Sequence, residues 1–425
     1  MTNMNEQPLD VIGIGFGPSN LALAVALHER GSHLRAGFLE AKPAFAWHPD
    51  MMLDGTDMQV SFLKDLVSLR NPRSGFSFLS YLQAKGRLSR FINRKTFFPS
   101  REEFNDYLGW IAGQFTNCRY DSRVTGIEPV RSGERVTHLA IHSQGADGKQ
   151  ARHLARNLVL APGGTAYWPP AFAALKDSDH VIHASGYLSK VIPKLKPGLR
   201  IAVIGAGQSA AEVYADLSAR VERPKVDMIL RGRAIKPSDD TPFVNEVFDP
   251  GQTDRFHGMS ADARARTLHS LAATNYAVTD ADLIEQIYEA LYAQDVRGGD
   301  RLGLLAETEV QEAQQVGQQI KLRLSGVSGD SVETYDFVVL GTGYQRALAE
   351  SVLADLNSWQ TAQEPDRDYR LPMKDTFEPA VIVQGFSEPT HGLSDTLLSV
   401  LALRSDEIAQ QLEDLYQSAS SIAAE

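Results

Sequence analysis

Short apolar runs alternate along the chain with longer stretches in which apolar residues recur at helical spacing. The apolar run at 11–14 is followed by an amphipathic stretch at about 19–30, which Gly31 ends, and by a second apolar run at 36–40. Runs of this length predict buried strands, and the order strand, helix, strand predicts a parallel sheet. The chain therefore opens with a βαβ unit.

A second unit of the same kind begins at residue 199. It runs from an apolar strand at 199–204 through a helix at 208–219 to a strand at 226–230. A mostly helical pattern from 239 to about 301 then indicates an insertion. Another buried strand is predicted at 336–340.

The last element that the pattern predicts is a helix at about 395–416. Ser394 precedes this stretch and is predicted to be its N-cap. The positive end of the helix dipole would then point toward a bound ligand.

The first glycine-rich turn lies between the first strand and the first helix. Gly13 and Gly15 would let backbone N–H groups face a pyrophosphate, with the helix dipole behind them. Glu40 ends the next strand, where a carboxylate accepts hydrogen bonds from both hydroxyls of a ribose without a 2′-phosphate. Pro18, followed by Asn20, stands where the usual fingerprint has its third glycine. A glycine turn required only for tight packing is therefore the alternative.

The second turn fits the fingerprint better, with Gly205, Gly207 and Ala210 at the expected spacing. Arg231 follows the next strand, where an NAD site would have an acid. An arginine there indicates a 2′-phosphate and hence NADPH, and a solvated strand end is the alternative. Together the two turns predict FAD in the first unit and NADPH in the second.

These patterns predict an α/β fold with two Rossmann-like dinucleotide-binding domains and a small, mainly helical substrate-binding insertion. The predicted FAD-binding domain comprises residues 8–165 and 350–416. The predicted NADPH-binding domain comprises 166–237 and 308–349, and the helical substrate-binding region is 238–307.

Composition narrows the function classes. The 42 Lys and Arg against 53 Asp and Glu give a formal charge of −11, which argues against a nucleic-acid partner. There is no apolar run of about 18 residues and no secretory signal, so we expect a cytoplasmic protein without a membrane span. The histidine spacing suggests no bound metal. Cys118 is the only cysteine, which excludes the redox pair of a disulfide reductase.

Seven further segments carry a close resemblance to a known family. They are Trp47-His48, MQVSFLKDLVSLRNP (58–72), FFPSREEFNDYL (97–108), DDTPFVNEVFDP (239–250), TNYAV (274–278), LGTGY (340–344) and HGLSDTLLSVL (391–401). With these segments the chain resembles the microbial N-hydroxylating flavin monooxygenases over about residues 9–407. It is most similar to the bacterial L-ornithine N5-monooxygenases of hydroxamate siderophore biosynthesis.

The resemblance implies a role for each matching residue. FAD would contact Gly13, Gly15, Gly17, Pro18, Asn20, Glu40, Trp47, His48, Gln59, Thr396, Leu397 and Leu398. NADPH would lie on Gly205, Gly207, Gln208, Ser209, Ala210, Arg231, Tyr276 and Ala277. Ornithine would be held by Lys64, Asn245, Asn275 and Ser399. The catalytic residues would be Asn275, Lys64 and Arg101, with Arg101 a neighbour of the flavin and the nicotinamide.

Lys64 can also be interpreted without the resemblance. It interrupts an apolar run at 60–63, and a buried ammonium requires an anionic partner. The α-carboxylate of a ligand would be one such partner, and a salt bridge to an internal acid such as Asp65 is the alternative. Asn245 and Asn275, taken alone, are equally consistent with residues that stabilise turns.

The chemistry that the resemblance implies is N-hydroxylation with O₂ as co-substrate. NADPH would reduce FAD, and a C4a-hydroperoxyflavin would pass its distal oxygen to the side-chain amine, giving N5-hydroxyornithine. That amine must be neutral to react, although a free alkylamine has a pKa near ~10.4. An amide such as Asn275 would hold the amine without stabilising its ammonium form.

Two alternatives remain open at the level of sequence. Lysine or a diamine (putrescine or cadaverine) could replace ornithine, because one methylene is worth only ~1–3 kcal/mol in a pocket. A protein of a different class, a non-catalytic regulator that binds flavin and NADP, would also carry both turns. The family includes monomers and homotetramers, and the sequence does not choose between them.

Overall fold

Two parallel sheets, each built around one of the glycine turns, form the framework of the fold. The computed structural model describes residues 7–422 apart from 328 and 348–351. The predicted boundary between residues 349 and 350 lies outside these described residues.

The first sheet has the strand order β3-β2-β1-β6-β5-β4. β1, β2, β3 and β6 run parallel, whereas β4 and β5 extend the sheet as antiparallel strands. The first part of β6 (150–155) pairs with β5, and its last residues (158–160) pair in parallel with β17. The strands are β1 (Leu9–Ile14), β2 (Ala36–Leu39), β3 (Cys118–Arg119), β4 (Arg123–Ser132), β5 (Arg135–Gln144), β6 (Gln150–Leu160) and β17 (Val381–Val383).

The second sheet has five parallel strands in the order β11-β10-β9-β15-β8. Its strands are mostly apolar because both faces are buried, one against helices and the other against an antiparallel sheet. They are β8 (Val181–His183), β9 (Arg200–Ile204), β10 (Lys225–Ile229), β11 (Leu302–Leu305) and β15 (Phe337–Leu340).

Two smaller sheets contain the remaining strands. An antiparallel sheet of three strands packs beside the second sheet, and a ladder of two short strands joins the two halves of the molecule. The three strands are β12 (Thr308–Val316), β13 (Gln319–Gly326) and β14 (Gly329–Tyr335), and the ladder is β7 (Thr165–Ala166) with β16 (Tyr344–Gln345).

The helices cover the sheets and build the insertion. They are α1 (Pro18–Glu29), α2 (Phe78–Ala84), α3 (Leu88–Asn93), α4 (Arg101–Ala112), α5 (Tyr187–Lys190), α6 (Gln208–Ala219), α7 (Pro242–Asn245), α8 (Gln252–His257), α9 (Ala261–Ser270), α10 (Ala281–Val296), α11 (Glu388–His391) and α12 (Leu401–Ile422). Among the described residues, no helix combines the length and apolarity needed to cross a membrane.

Helix α1 is buried from Asn20 to Leu27 because it lies between the first sheet and α12. Helix α6 occupies the equivalent place in the second half, where α10 packs on it. The predicted fold class, α/β with two Rossmann-like units and a helical insertion, is confirmed. The domain boundaries stay a prediction, and the structure pairs β11, which falls within 238–307, with β10 of the second sheet.

The prediction for the start of the last helix was wrong. Residues Leu393–Thr396 form a 3₁₀ turn after Gly392, and α12 begins only at Leu401. Asp395 is fully buried in this turn, where its carboxylate accepts the Ser387 N–H and an Arg404 N–H. These side-chain bonds hold the segment as a series of turns, so Ser394 does not cap a helix.

Candidate active site

The first glycine turn is closed by two backbone hydrogen bonds. The Gly15 N–H donates to the Leu39 carbonyl at 2.8 Å, and the Ala161 N–H donates to the Ile14 carbonyl at 2.9 Å. Gly15 has φ +81°, and a Cβ placed on it would lie 2.5 Å from the Ala161 carbonyl oxygen. Only glycine satisfies both the dihedral and the contact.

The residues around this turn form a cradle for an anion. Gly17 precedes α1 as its N-cap, and a Cβ placed there would meet no atom within 4 Å, so this backbone is open. The buried Asn20 amide donates to the Gly15 carbonyl at 2.8 Å, which fixes the turn where a third glycine would usually stand. Glu40 accepts the Phe16 N–H at 2.8 Å and thus lies beside the turn. This is the geometry that a pyrophosphate and an adjoining ribose require.

The second turn repeats the first. The Gly205 N–H donates to the Ile229 carbonyl at 3.0 Å, and the Gly341 N–H donates to the Ile204 carbonyl at 2.8 Å. A Cβ on Gly205 would overlap the Gly341 carbonyl oxygen, and a Cβ on Gly341 would lie 2.5 Å from the Ala210 Cβ. Ala210 therefore stands at the point of closest contact between α6 and the strand end, the role of the third fingerprint position.

Arg231 lies exposed just beyond β10 and lines an open cavity of about 410 Å³. The same cavity is lined by polar side chains and backbone from the second half: Glu307, Thr308, Glu309, Ser325 and Gly326. The assignment of Arg231 to a 2′-phosphate stays a prediction.

Lys64 lies in a turn rather than in a buried strand, and Leu63 beside it is 40% exposed. Its ammonium makes no ion pair or hydrogen bond with any other described residue. It lies 5.6 Å from the centroid of the Phe248 ring, which belongs to the insertion. The alternative of a salt bridge with Asp65 was therefore wrong.

Asp65 instead holds the turn that carries Lys64. Its carboxylate accepts the backbone N–H groups of Val67, Ser68 and Phe78 at 2.9, 2.6 and 2.7 Å. Burial raises the pKa of this carboxyl, although these hydrogen bonds act in the opposite direction. The turn around Lys64 is thus fixed by its neighbour.

The insertion carries both predicted substrate asparagines, and a hydrogen bond from the Asp239 N–H to the Ala273 carbonyl joins their segments. Asn245 donates its amide N–H to the Asp240 carbonyl at 2.8 Å, which is the turn-stabilising interaction that the sequence left open. Asn275 ends a 3₁₀ turn, and its side chain makes no hydrogen bond with another described residue. Ala277, with φ +55°, packs against Gly207 of the second turn.

Two hydrogen bonds connect this loop and the second half to the segment before α12. The Tyr276 hydroxyl donates to Glu388, and burial raises the pKa of the Glu388 carboxyl. The Arg346 guanidinium donates to the Thr396 carbonyl at 3.2 Å. Ser399 follows in this segment and is 3% exposed. The segment 388–399 is therefore held against the insertion.

Residues predicted to lie near the flavin occur in the loop 47–59 and at the start of α4. The Trp47 N–H donates to Asn105 at 2.9 Å, and the His48 ring lies 5.8 Å from the Tyr344 ring. The Gln59 amide donates to Asp280 at 3.0 Å. Arg101 makes a bidentate ion pair with Glu212 of α6, at 2.7 and 2.8 Å. These contacts place the loop at the junction of the two halves.

Comparison with known proteins identifies the family. A family model described as L-lysine 6-monooxygenase/L-ornithine 5-monooxygenase matches residues 7–346. The chain belongs to this family. An L-ornithine N(5)-monooxygenase from Pseudomonas aeruginosa is 46% identical over 413 residues, covering 95% of this chain and 93% of that protein. The resemblance inferred from the motifs is thereby confirmed.

Two solved structures of similar proteins share the fold. An ornithine hydroxylase from Pseudomonas aeruginosa has a TM-score of 0.93 and 46% identity, covering 96% of this chain and 100% of that chain. The ornithine N-hydroxylase of Kutzneria sp. 744, whose structure contains reduced FAD, NADP⁺ and L-ornithine, has a TM-score of 0.91 and 34% identity. It matches 96% of this chain and 99% of that one.

The sequence analysis gave no role to several polar residues that hold segments of the candidate site together. Glu212 and Asp280 bind predicted cofactor residues, and Asp395 with Arg404 forms an ion pair whose side chains are almost completely inaccessible. Glu212 could have been suspected, because it interrupts the apolar face of α6. Asp280 and Asp395 lie outside the α-helices and strands, so no periodicity marks them, and Arg404 lies in the first turn of α12.

The close contact at the first turn gives a prediction for stability. We expect Gly15→Ala to destabilise the protein by about 3 kcal/mol or more, since it adds backbone strain and a clash with the Ala161 carbonyl. Gly31→Ala is the matched control, because Gly31 has φ +64° but nothing lies within 4 Å of its added Cβ. Gly31→Ala should cost only about 1 kcal/mol. Urea unfolding of both variants measures the difference, and equal losses would contradict the contact argument.

Proposed function

We propose that this protein is an FAD- and NADPH-dependent monooxygenase that hydroxylates the side-chain amine of L-ornithine. Its product would be N5-hydroxyornithine, whose hydroxylated nitrogen becomes part of the hydroxamate group of a siderophore. The family membership supports the reaction class. The Lys64 ammonium, which has no ionic partner among the described residues, is the observation that carries the choice of an amino-acid substrate.

The two turns fit the two cofactors. The open backbone at Gly17, the N-terminus of α1 and the Glu40 carboxylate would hold the pyrophosphate and ribose of FAD. The turn at Gly205–Ala210 would hold NADPH, with Arg231 on its 2′-phosphate. When bound and reduced, the flavin supplies activated oxygen derived from O₂.

Lys64 would bind the substrate carboxylate. An ammonium that is half-buried and has no partner among the described residues is stabilised when an anion joins it. The Phe248 ring near it excludes water on one side and strengthens a charge-assisted hydrogen bond. A diamine has no carboxylate to occupy this position, so Lys64 favours ornithine or lysine over putrescine or cadaverine.

The amine end of the substrate requires a different environment. The δ-nitrogen reacts only when it is neutral, and a carboxylate beside it would stabilise the ammonium form. The Asn275 carbonyl oxygen can accept one N–H of the neutral amine and leave its lone pair free. Asn245 and Ser399 would complete the contacts with the substrate. A cytoplasmic location stays a prediction from the sequence.

The reaction is tested by supplying four amines to the purified protein with NADPH, FAD and O₂. We expect a hydroxylated amine product with L-ornithine and none with lysine, putrescine or cadaverine. Hydroxylation of another amine in preference to ornithine would overturn the substrate assignment. NADPH oxidation without a hydroxylated product from any amine would favour the regulatory protein instead.

Lys64 gives a prediction about substrate affinity. Lys64→Met keeps the length of the side chain and removes its charge, so we expect the KM for ornithine to rise about 10- to 100-fold. The kcat and the affinity for FAD should change little. Lys149→Met, at an exposed turn between β5 and β6, is the control and should leave the KM unchanged. A KM that stays the same in Lys64→Met would remove Lys64 from the site.

Arg231 gives a prediction about the choice of nicotinamide cofactor. Arg231→Ala should weaken NADPH binding about 10- to 100-fold, because a charge-assisted hydrogen bond to phosphate is lost. NADH has no 2′-phosphate and serves as the internal control, so its affinity should stay constant. Titration of both cofactors measures the ratio, and equal losses would contradict the assignment.

A further inference from the structure

One continuous set of hydrogen bonds joins the predicted flavin side of the site to the helix that follows the second glycine turn. The Arg101 guanidinium donates to the Met51 carbonyl at 3.0 Å and to both carboxylate oxygens of Glu212, at 2.7 and 2.8 Å. Arg101 is the first residue of α4, whereas Glu212 lies in the second turn of α6. The ion pair therefore crosses between the two halves.

The same set continues from Glu212 to the loop that carries Asn275. The Gln208 amide donates one N–H to Glu212 and the other to the Asp280 carboxylate, both at 2.9 Å. The Oε1 atom of the Gln208 side chain accepts the backbone N–H of Asp280 at 2.9 Å. The Asp280 carboxylate also accepts a hydrogen bond from the Gln59 side chain. Gln59 and Met51 belong to one loop of the first half, so the hydrogen bonds return to the segment from which they began.

Glu212 has the least accessible of the polar side chains in this set. Its side chain is 2% exposed, and it lies on α6 among the buried residues Ala210, Ala211 and Val213. A buried ion pair contributes little net stability compared with apolar side chains of the same size. Its geometric effect is larger, because a bidentate pair fixes both distance and orientation. The position of Glu212 therefore suggests a role in geometry more than in stability.

We infer that Glu212 is a positioning residue for hydride transfer. Through Arg101 and Gln208, Glu212 holds the first turn of α6 and the loop before α10 at a fixed position relative to the loop 47–59 and the start of α4. That loop and the start of α4 form the side predicted to hold the flavin. The inference rests on the proposed function, since it takes these two sides to hold the flavin and the nicotinamide. Arg101 then acts mainly by position, because three of its five N–H groups are bound to Met51 and Glu212.

The kinetic test is anaerobic reduction of bound FAD by saturating NADPH, without any amine. We expect Glu212→Gln to lower the limiting rate of reduction at least tenfold, with a smaller change in the affinity for NADPH. If Glu212 acts through Arg101, the double variant Arg101→Gln/Glu212→Gln should reduce within about twofold of Arg101→Gln alone. If the double variant instead shows the product of the two single-variant losses in reduction rate, the inference is overturned.

The structural test needs no cofactor. In the apoprotein, hydrogen exchange at the Asp280 amide should accelerate about tenfold in Glu212→Gln, because Gln208 loses the partner that orients it. Asp227→Asn is the matched control, since Asp227 forms an ion pair with Arg200 within the second half and bonds to no residue of this set. It should leave both the Asp280 amide and the limiting rate unchanged. If it shifts them as Glu212→Gln does, the effect is general loss of stability and the inference is overturned.

A shorter carboxylate covers the case in which Glu212→Gln does not fold. Glu212→Asp keeps the charge but loses the reach for two bonds, so we expect a three- to tenfold slower reduction and faster exchange at Asp280. Wild-type values of both measurements in either Glu212 variant would overturn the inference. By contrast, a wild-type protein whose FAD is not reduced by NADPH would contradict the proposed function, and the exchange measurement would still test the link.

Discussion

The close approach of a carbonyl oxygen to a glycine Cα at a strand end is the constraint on which both halves depend. The Ala161 carbonyl lies against Gly15, and the Gly341 carbonyl lies against Gly205. Each contact requires the neighbouring parallel strand to end beside the turn, so the N-terminus of the following helix borders the space in which a ligand can bind. The same geometry therefore determines where each sheet stops and where each nucleotide can bind.

The chain uses these two strand ends to join the halves. Four residues after Ala161 it enters β7, and three residues after Gly341 it enters β16, and these two strands pair with each other. The segments that close the two glycine turns are thus hydrogen-bonded together. Because the connection begins directly at the turns, the two predicted nucleotide sites have little freedom to separate without breaking this ladder. The Arg101–Glu212 pair adds a second connection, made by side chains, at the same junction.

The sequence was sufficient for features that are local, and insufficient for those that depend on distant partners. Both βαβ units and their glycine turns could be predicted because periodicity and the position of Gly15 and Gly205 follow from local backbone geometry. The start of α12 could not, because the burial of Asp395 with Arg404 overrides the capping preference of Ser394. The prediction for Lys64 was right in part. Its lack of an ionic partner was one of two alternatives, but the exposed turn around it depends on Asp65 and was not foreseen.

The charges around the site are arranged in a way that suits a neutral amine. Four of the described carboxylates near the junction already accept hydrogen bonds: Glu212 from Arg101, Asp280 from Gln208 and Gln59, Glu388 from Tyr276, and Asp395 from Arg404. A carboxylate that already accepts such bonds has little to gain from an ammonium ion, because a new partner must displace an existing one. The cation Lys64, by contrast, has no partner among the described residues. If Lys64 binds the substrate carboxylate as proposed, a substrate with one carboxylate and one amine has a charged partner at one end only, and its amine would lose a proton more readily than in water.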